Sequence, residues 1–186
     1  MAKIRKTKAD ISALLSDDLA LRKYRNQLVL STVTVPRKST SARKRKSMNR
    51  FAEASAWAKA ILRKPGMKEW YSKGINSKLT NAHTVAVTDY LIAPKIHYIS
   101  LKQHTGVIGD DIRIKATDAF QVTAVNVTIT NKNGKQLEAG PATRYKRKPV
   151  MWIYTLTVAN PEVVGTEIQV IAIDRPGNKT EKKVII

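Results

Sequence analysis

The side chains best suited to chemistry in this chain are cations, in two runs. The first is Arg37, Lys38, Arg43, Lys44, Arg45 and Lys46 in RKSTSARKRK, continued by Arg50; the second is Arg144, Lys146, Arg147 and Lys148 in RYKRKP. Cations of this kind neutralise phosphates and release the counterions condensed around a nucleic acid. The serines and threonines of the first run add phosphate hydrogen bonds. No acid lies between Asp18 and Glu53, so the field there is unopposed. In the second run Tyr145 stands among the cations, where an aromatic ring stacks on a base. Neither run carries a base-reading pattern: helix-turn-helix, homeodomain and RNA-recognition signatures are all missing. The partner expected is therefore nucleic acid or another polyanion, bound independently of sequence. The competing explanation is a solvated, flexible leader and an ordinary exposed loop.

Catalytic chemistry finds little purchase. The histidines are His83, His97 and His104, and none stands in a His-Glu-x-x-His spacing. There is no Gly-x-Ser-x-Gly elbow and no phosphate loop. His97 and His104 flank one strand candidate and are the pair to watch for proximity. No catalytic residue is assigned, and the expectation is a protein that is not an enzyme. The chain has no cysteine, which excludes disulfides, thiolate chemistry and finger-type zinc. Asp110, Asp111, Asp118, Asp174 and Asn178 fall at strand ends. Calcium needs six to eight oxygens, of which these supply a part. Each also serves as a turn residue closing onto its own backbone, and the net charge of +20 argues against a cation site. No metal and no cofactor is assigned. Whether Asp110, Asp118 and Asp174 bind calcium or only form turns stays open.

These residues sit on a chain of 186, enough for one large domain or two small ones, with 42% hydrophobic residues for a core. A net charge of +20 repels itself unless a partner neutralises it. The N-terminal cations Lys3, Arg5, Lys6 and Lys8 are followed by a stretch that Asp10, Asp17 and Asp18 interrupt, which is no secretory signal. No run approaches the ~20 apolar residues of a membrane span. A cytoplasmic location is expected.

The texture changes near LIAPKI, residues 91–96, where Pro94 disfavours helix in the residue before it. Residues 1–94 are expected to form a basic, mainly helical module, and residues 95–186 an antiparallel sandwich, an α+β arrangement. In the first part SDDLALRKY reads as a helix capped by Ser16, with acids at its start and Arg22 and Lys23 at its end. Residues 28–35, LVLSTVTV, read as a strand or hairpin arm with no obvious partner, which predicts edge pairing with its own or a neighbouring sheet. Residues 36–48 read as a flexible basic segment. A helix is expected over about 49–63, capped by Ser47 or Asn49, with Phe51, Ala54, Ala58, Ile61 and Leu62 on one face and Phe51 and Ile61 in the core. Trp57 lies off that face and is expected to pack on the following helix or on a partner subunit. Pro65 and Gly66 end it. MKEWYSK and residues 80–92 read as two more helices.

The second part holds up to seven strands: 96–101, 111–117, 121–130, KQLEA, 150–158, 166–173 and 179–186. Ile112, Ile114 and Ala116 alternate, as do Val125, Val127 and Ile129, and Trp152, Tyr154, Leu156 and Val158. Asn133-Gly134 marks a hairpin because both residues take positive φ. Short strands at this spacing suggest a sandwich.

IGDDIRIKATDAFQVTAVNVTI and VIAIDRPGN together resemble bacterial immunoglobulin-like domains. The resemblance spans residues 95–186 and implies an immunoglobulin-like β-sandwich without the cysteine pair of antibody domains. RFAEASAWAKAIL and VTDYLIAPKI make the whole chain similar to a group of short uncharacterised bacterial proteins. Two functions follow as expectations. One is a non-catalytic, sequence-independent nucleic-acid-binding protein with a basic arm and an immunoglobulin-like scaffold. The other is a structural or adhesion-type module of a multi-subunit particle, whose sandwich binds protein or glycan and whose protomers form a homo-oligomer or larger assembly.

Overall fold

A computed structural model describes residues 19–24, 27–32 and 41–186. The chain divides into two compact units, Met1–Arg45 and Lys46–Ile186. In the first unit, strands β1 (Leu19–Tyr24) and β2 (Gln27–Thr32) pair antiparallel, from Leu19 opposite Thr32 to Tyr24 opposite Gln27. The helix expected in SDDLALRKY is thus a strand, while its proposed cap Ser16 lies outside the described residues. Leu, Ala, Arg and Lys favour a helix by only tenths of a kcal/mol each. The backbone donors and acceptors of β2 demand a partner, and β1 supplies one. The edge pairing expected of residues 28–35 is met within the chain over Leu28–Thr32.

Helix α1 (Ala42–Leu62) begins well before residue 49. Ser41, not Ser47 or Asn49, caps it: its Oγ accepts the Lys44 N–H at 3.3 Å. Residues 42–48 of the basic segment are therefore helical. Ala54 and Ala58, four apart, are fully buried, and Ile61 and Leu62 are partly buried beside them. Phe51 departs from the expectation: it is 55% exposed. After Gly66, held at φ 74°, comes α2 (Met67–Ser72). Asn81 caps α3 (Ala82–Leu91), its side chain accepting the Thr84 N–H at 2.8 Å.

The helices enclose an aromatic cluster. Tyr71, fully buried, is edge-on to Trp57 and Trp70 and stacked on Phe120, with centroids 6.3, 4.7 and 5.2 Å away. Trp57 also meets Tyr90 at 5.5 Å, so its partners lie within this chain. Phe120 comes from a loop between two strands, which inserts the sandwich into the helical core. Gly74 makes room for it; a Cβ there would lie 2.7 Å from both Phe120 and Val85.

The strands are β3 (Lys95–Gln103), β4 (Asp111–Thr117), β5 (Val122–Thr130), β6 (Gln136–Pro141), β7 (Thr143–Arg144), β8 (Met151–Thr155), β9 (Glu167–Asp174) and β10 (Lys179–Ile185). They form two four-stranded antiparallel sheets, β10-β9-β5-β6 and β3-β4-β8-β7. The alternating apolar residues of β4, β5, β8 and β9 meet between the sheets, with Ile112, Ile114, Val125, Val127, Ile168 and Val170 fully buried. This is a β-sandwich. The chain changes sheet at Ala142, between β6 and β7. Strand β8 stops at Thr155, earlier than expected, and Val158 is exposed, not core. Among the described residues no helix is long and apolar enough to cross a membrane.

Candidate functional site

The first cationic run lies on α1. Arg37 and Lys38 fall outside the described residues, whereas Arg43, Lys44, Arg45, Lys46 and Arg50 are all exposed. The first turn of α1 has no acid. Cations at that positive end of the helix dipole are unfavourable by roughly 0.3–1 kcal/mol each, an excess an anion would relieve. Arg50 is partly engaged: its Nη2 donates to the Leu91 carbonyl at 2.9 Å, satisfying the end of α3.

The second run bridges β7 and β8. Arg144 is half-buried; its guanidinium stacks 4.8 Å from the Trp152 ring and donates to the Val122 carbonyl. Lys146, Arg147 and Lys148 are exposed. Tyr145, 39% exposed, closes the turn by donating its N–H to the Met151 carbonyl at 2.8 Å.

The fold joins this loop to residues the sequence did not single out. On β3, Tyr98 stands opposite Lys115 and Ser100 opposite Arg113; on β8, Met151 and Ile153 stand opposite the same two residues of β4. Alternation turns these two rows away from the core. Tyr98, Ser100, Lys102, Arg113, Met151 and Ile153 thereby form, with Tyr145 and Lys148, a groove of about 650 Å³. Tyr98 is 44% exposed. Among the described residues no acid lines the groove. Tyr145 and Ile153 also border a second groove of about 790 Å³, which Lys146 and Arg147 line and Asp111 enters. The signal for the groove was in the sequence: Tyr98, Ser100 and Lys102 share a period of two.

The histidines do not meet. His97 and His104 stand near opposite ends of β3, roughly 20 Å apart at strand rise. His97 shares a hydrogen bond with Thr117 Oγ1 at 2.6 Å, and His83 with Ser55 Oγ at 3.4 Å. His104 is buried, and neither ring nitrogen has a hydrogen-bond partner among the described residues. Burial pushes its pKa down, against the opposing pull of Asp110 and Glu138.

The acids separate into two groups. Asp110 closes its own loop, accepting the N–H groups of Thr105 and Val107, which hold its carboxyl below the usual carboxylate range. Asp111 accepts from Thr155 Oγ1. Asp118 and Asp174 end strands in different sheets, not neighbouring strands, and face each other at one pole of the sandwich. There Asp89 of α3 joins them: the three carboxylates each bring an oxygen within 4.8 Å of the other two. Asp89 is 0% and Asp174 3% exposed. Tyr71 donates its hydroxyl to Asp89 Oδ2 at 2.8 Å. Asp174 Oδ1 accepts the N–H groups of Gly177 and Asn178. The Asn178 side-chain amide donates to Asp174 Oδ2 at 2.7 Å and to the carbonyls of Asp89 and Tyr90. Burial pushes the Asp89 carboxyl up to about 7, and Asp118 and Asp174 push the same way, while the Tyr71 hydroxyl opposes. Burial likewise raises Asp174 and Tyr71. Asp89 escaped the sequence reading, although a lone acid in HTVAVTDYLI is the kind of signal that exposes such a group.

No family model and no curated protein matches the chain. Similarities to solved structures include the following two. One is to CopC from Methylosinus trichosporium OB3b, at 14% identity over 48% of this chain and 87% of that one, with a TM-score of 0.35. The other is to the catalytic module of the multi-modular glycogen-degrading pneumococcal virulence factor SpuA, at 15% identity over 45% of this chain and 12% of that one, with a TM-score of 0.33.

Proposed function

We propose that this protein is a non-catalytic binding protein that associates with nucleic acid, or a polyanion of similar charge density, without regard to sequence. The observation that carries the reading is the groove on the outer face of β3, β4 and β8, where Tyr98 and Tyr145 stand among Lys102, Arg113 and Lys148 with no acid among the described residues. Two rings at the walls of a cationic groove suit unpaired bases, whose faces all stack alike, while the ammonium and guanidinium groups follow the phosphates. The exposed cations of α1 add a second phosphate-seeking surface. The sandwich serves as an immunoglobulin-like scaffold. Its sheet orders support that label: with β3 as strand A and β10 as strand G, they correspond to A-B-E-D and G-F-C plus one added strand. Kinship with short bacterial proteins of like layout rests on RFAEASAWAKAIL and VTDYLIAPKI.

The test is a titration into labelled mixed-sequence single-stranded and duplex DNA at several salt concentrations. It is repeated with Arg43, Lys44, Arg45 and Lys46 changed to Ala. Binding that is tight at low salt, falls linearly on a log–log plot and weakens in the variant supports the reading. Weak binding, or equal binding by both proteins, overturns the role of α1.

A second reading, as a module of a larger assembly, is favoured by the pole opposite Asp118. Val107, Ile108 and Val164 are exposed there at 60, 62 and 80%. Their loops are joined by the Asn160 N–H donating to the Gly106 carbonyl at 2.8 Å. Sedimentation showing a concentration-dependent oligomer that Val164→Asp dissolves would support it.

A further inference from the structure

Three of the chain's 14 acids converge on one buried point, in a protein with 34 Lys and Arg residues to pair with. None of the three forms an ion pair: among the described residues the salt bridges are Lys132–Glu162, Lys183–Glu167 and Lys183–Glu181. The nearby guanidinium of Arg175 is instead stacked on Trp70, 4.3 Å from the ring. The donors present are spent elsewhere in the cluster. Tyr71 serves Asp89 Oδ2, and Gly177 and Asn178 serve Asp174. That leaves Asp89 Oδ1 and Asp118 Oδ1, both buried and both without an N–H or hydroxyl donor among the described residues. An unpaired buried carboxylate costs several kcal/mol, so such oxygens call for a positive charge or a proton.

We propose that Asp89, Asp118 and Asp174 form a divalent-cation site of the calcium type. The donors are all oxygen, which selects calcium or magnesium over zinc and copper. Three oxygens within 4.8 Å of one another share a centre at most about 2.8 Å from each. That bound admits the 2.3–2.6 Å of calcium, which accepts flexible coordination, whereas magnesium demands near-ideal octahedral geometry. One ligand comes from α3 and two from the sandwich, so the ion would pin helix to sandwich.

The experiment uses the full chain without nucleic acid, so its outcome is separate from that of the binding reading. Thermal unfolding is followed against calcium chloride at neutral pH, with magnesium chloride in parallel. Terbium luminescence sensitised through Tyr71 and Trp70 reports the ion directly. The expected result is saturation with a midpoint between about 10 µM and 1 mM, the range of modest calcium modules. Saturation should raise Tm by about 3–10 °C. Asp118→Asn should weaken the response at least tenfold, and Asp110→Asn should leave it unchanged. No response of wild-type Tm or terbium emission up to about 5 mM calcium overturns the proposal and leaves a proton-bridged carboxyl cluster. So does an equal magnesium response, or an undiminished response in a folded Asp118→Asn protein. If that variant does not fold, the wild-type titrations decide alone.

Discussion

The basic groove predicts a separation between two kinds of substitution. Changing Lys102, Arg113 and Lys148 to Ala removes three cations from its walls. On a single strand each phosphate contact contributes about 0.7 to the slope of log K against log salt, so the slope should flatten by about 2. From 50 to 200 mM salt each contact costs about 2.6-fold in affinity, and three cost about 18-fold. The variant should bind more weakly at 50 mM and lose about 18-fold less than wild type over that interval. Changing Tyr98 and Tyr145 to Leu keeps apolar cover over Met151 and Ile153 but removes the stacking rings. Base–aromatic stacking is worth about 1–3 kcal/mol per base, so each ring should cost about 5- to 160-fold at every salt with the slope unchanged. Fluorescence anisotropy with a labelled oligothymidine measures both. A slope within about 0.5 of wild type for the charge variant, or wild-type affinity for the ring variant, would refute the groove as the contact surface.

Two further outcomes test the scaffold. Gly74→Ala should destabilise the fold by about 1–3 kcal/mol in urea unfolding, because the added Cβ overpacks against Phe120 and Val85. His104 should make stability fall as acid is added. Its folded pKa lies below the ordinary 6.5, so between the two values the unfolded chain takes up more protons. Its contribution is complete above pH 6.5 and is lost as pH falls toward the folded value. His104→Leu should flatten that part of the profile.

The strands of the sandwich were legible because one face of each is buried, which writes a period of two into the residues. DIRIKAT is the strand Asp111–Thr117 without adjustment. The hairpin at Asn133-Gly134 was legible because its glycine needs φ 78°. LALRKY was misread because its residues favour a helix locally, and only the register with Gln27–Thr32 reverses that preference. The start of α1 was misread because a dense run of cations looks flexible, while the Ser41 cap is a single residue within it. Phe51 fits the apolar stripe of α1 by spacing, but spacing does not say which end of the stripe is covered, and Phe51 is left 55% exposed. The groove and the carboxylate cluster were each half legible. Tyr145, Lys148, Asp118 and Asp174 stood out in the sequence. Tyr98, Arg113 and Asp89 gained meaning only when strand register and helix docking brought them alongside.

The Asn178 amide that holds the Asp89 and Tyr90 carbonyls reaches back 88–89 residues. On a ribosome adding roughly 5–20 residues per second, α3 waits about 4–18 s after its own synthesis for that partner. Through this interval its last turn has Arg50 on the Leu91 carbonyl but not yet Asn178, and the Asp89 carboxyl lacks the strand end that later encloses it. Birth order and final contact are thus inverted: the helices emerge before the sandwich and are locked by the turn that follows β9. Trp57, Tyr71 and Tyr90 can meet one another as soon as α3 is made, whereas Phe120 and then Asn178 close over that end of the helices later.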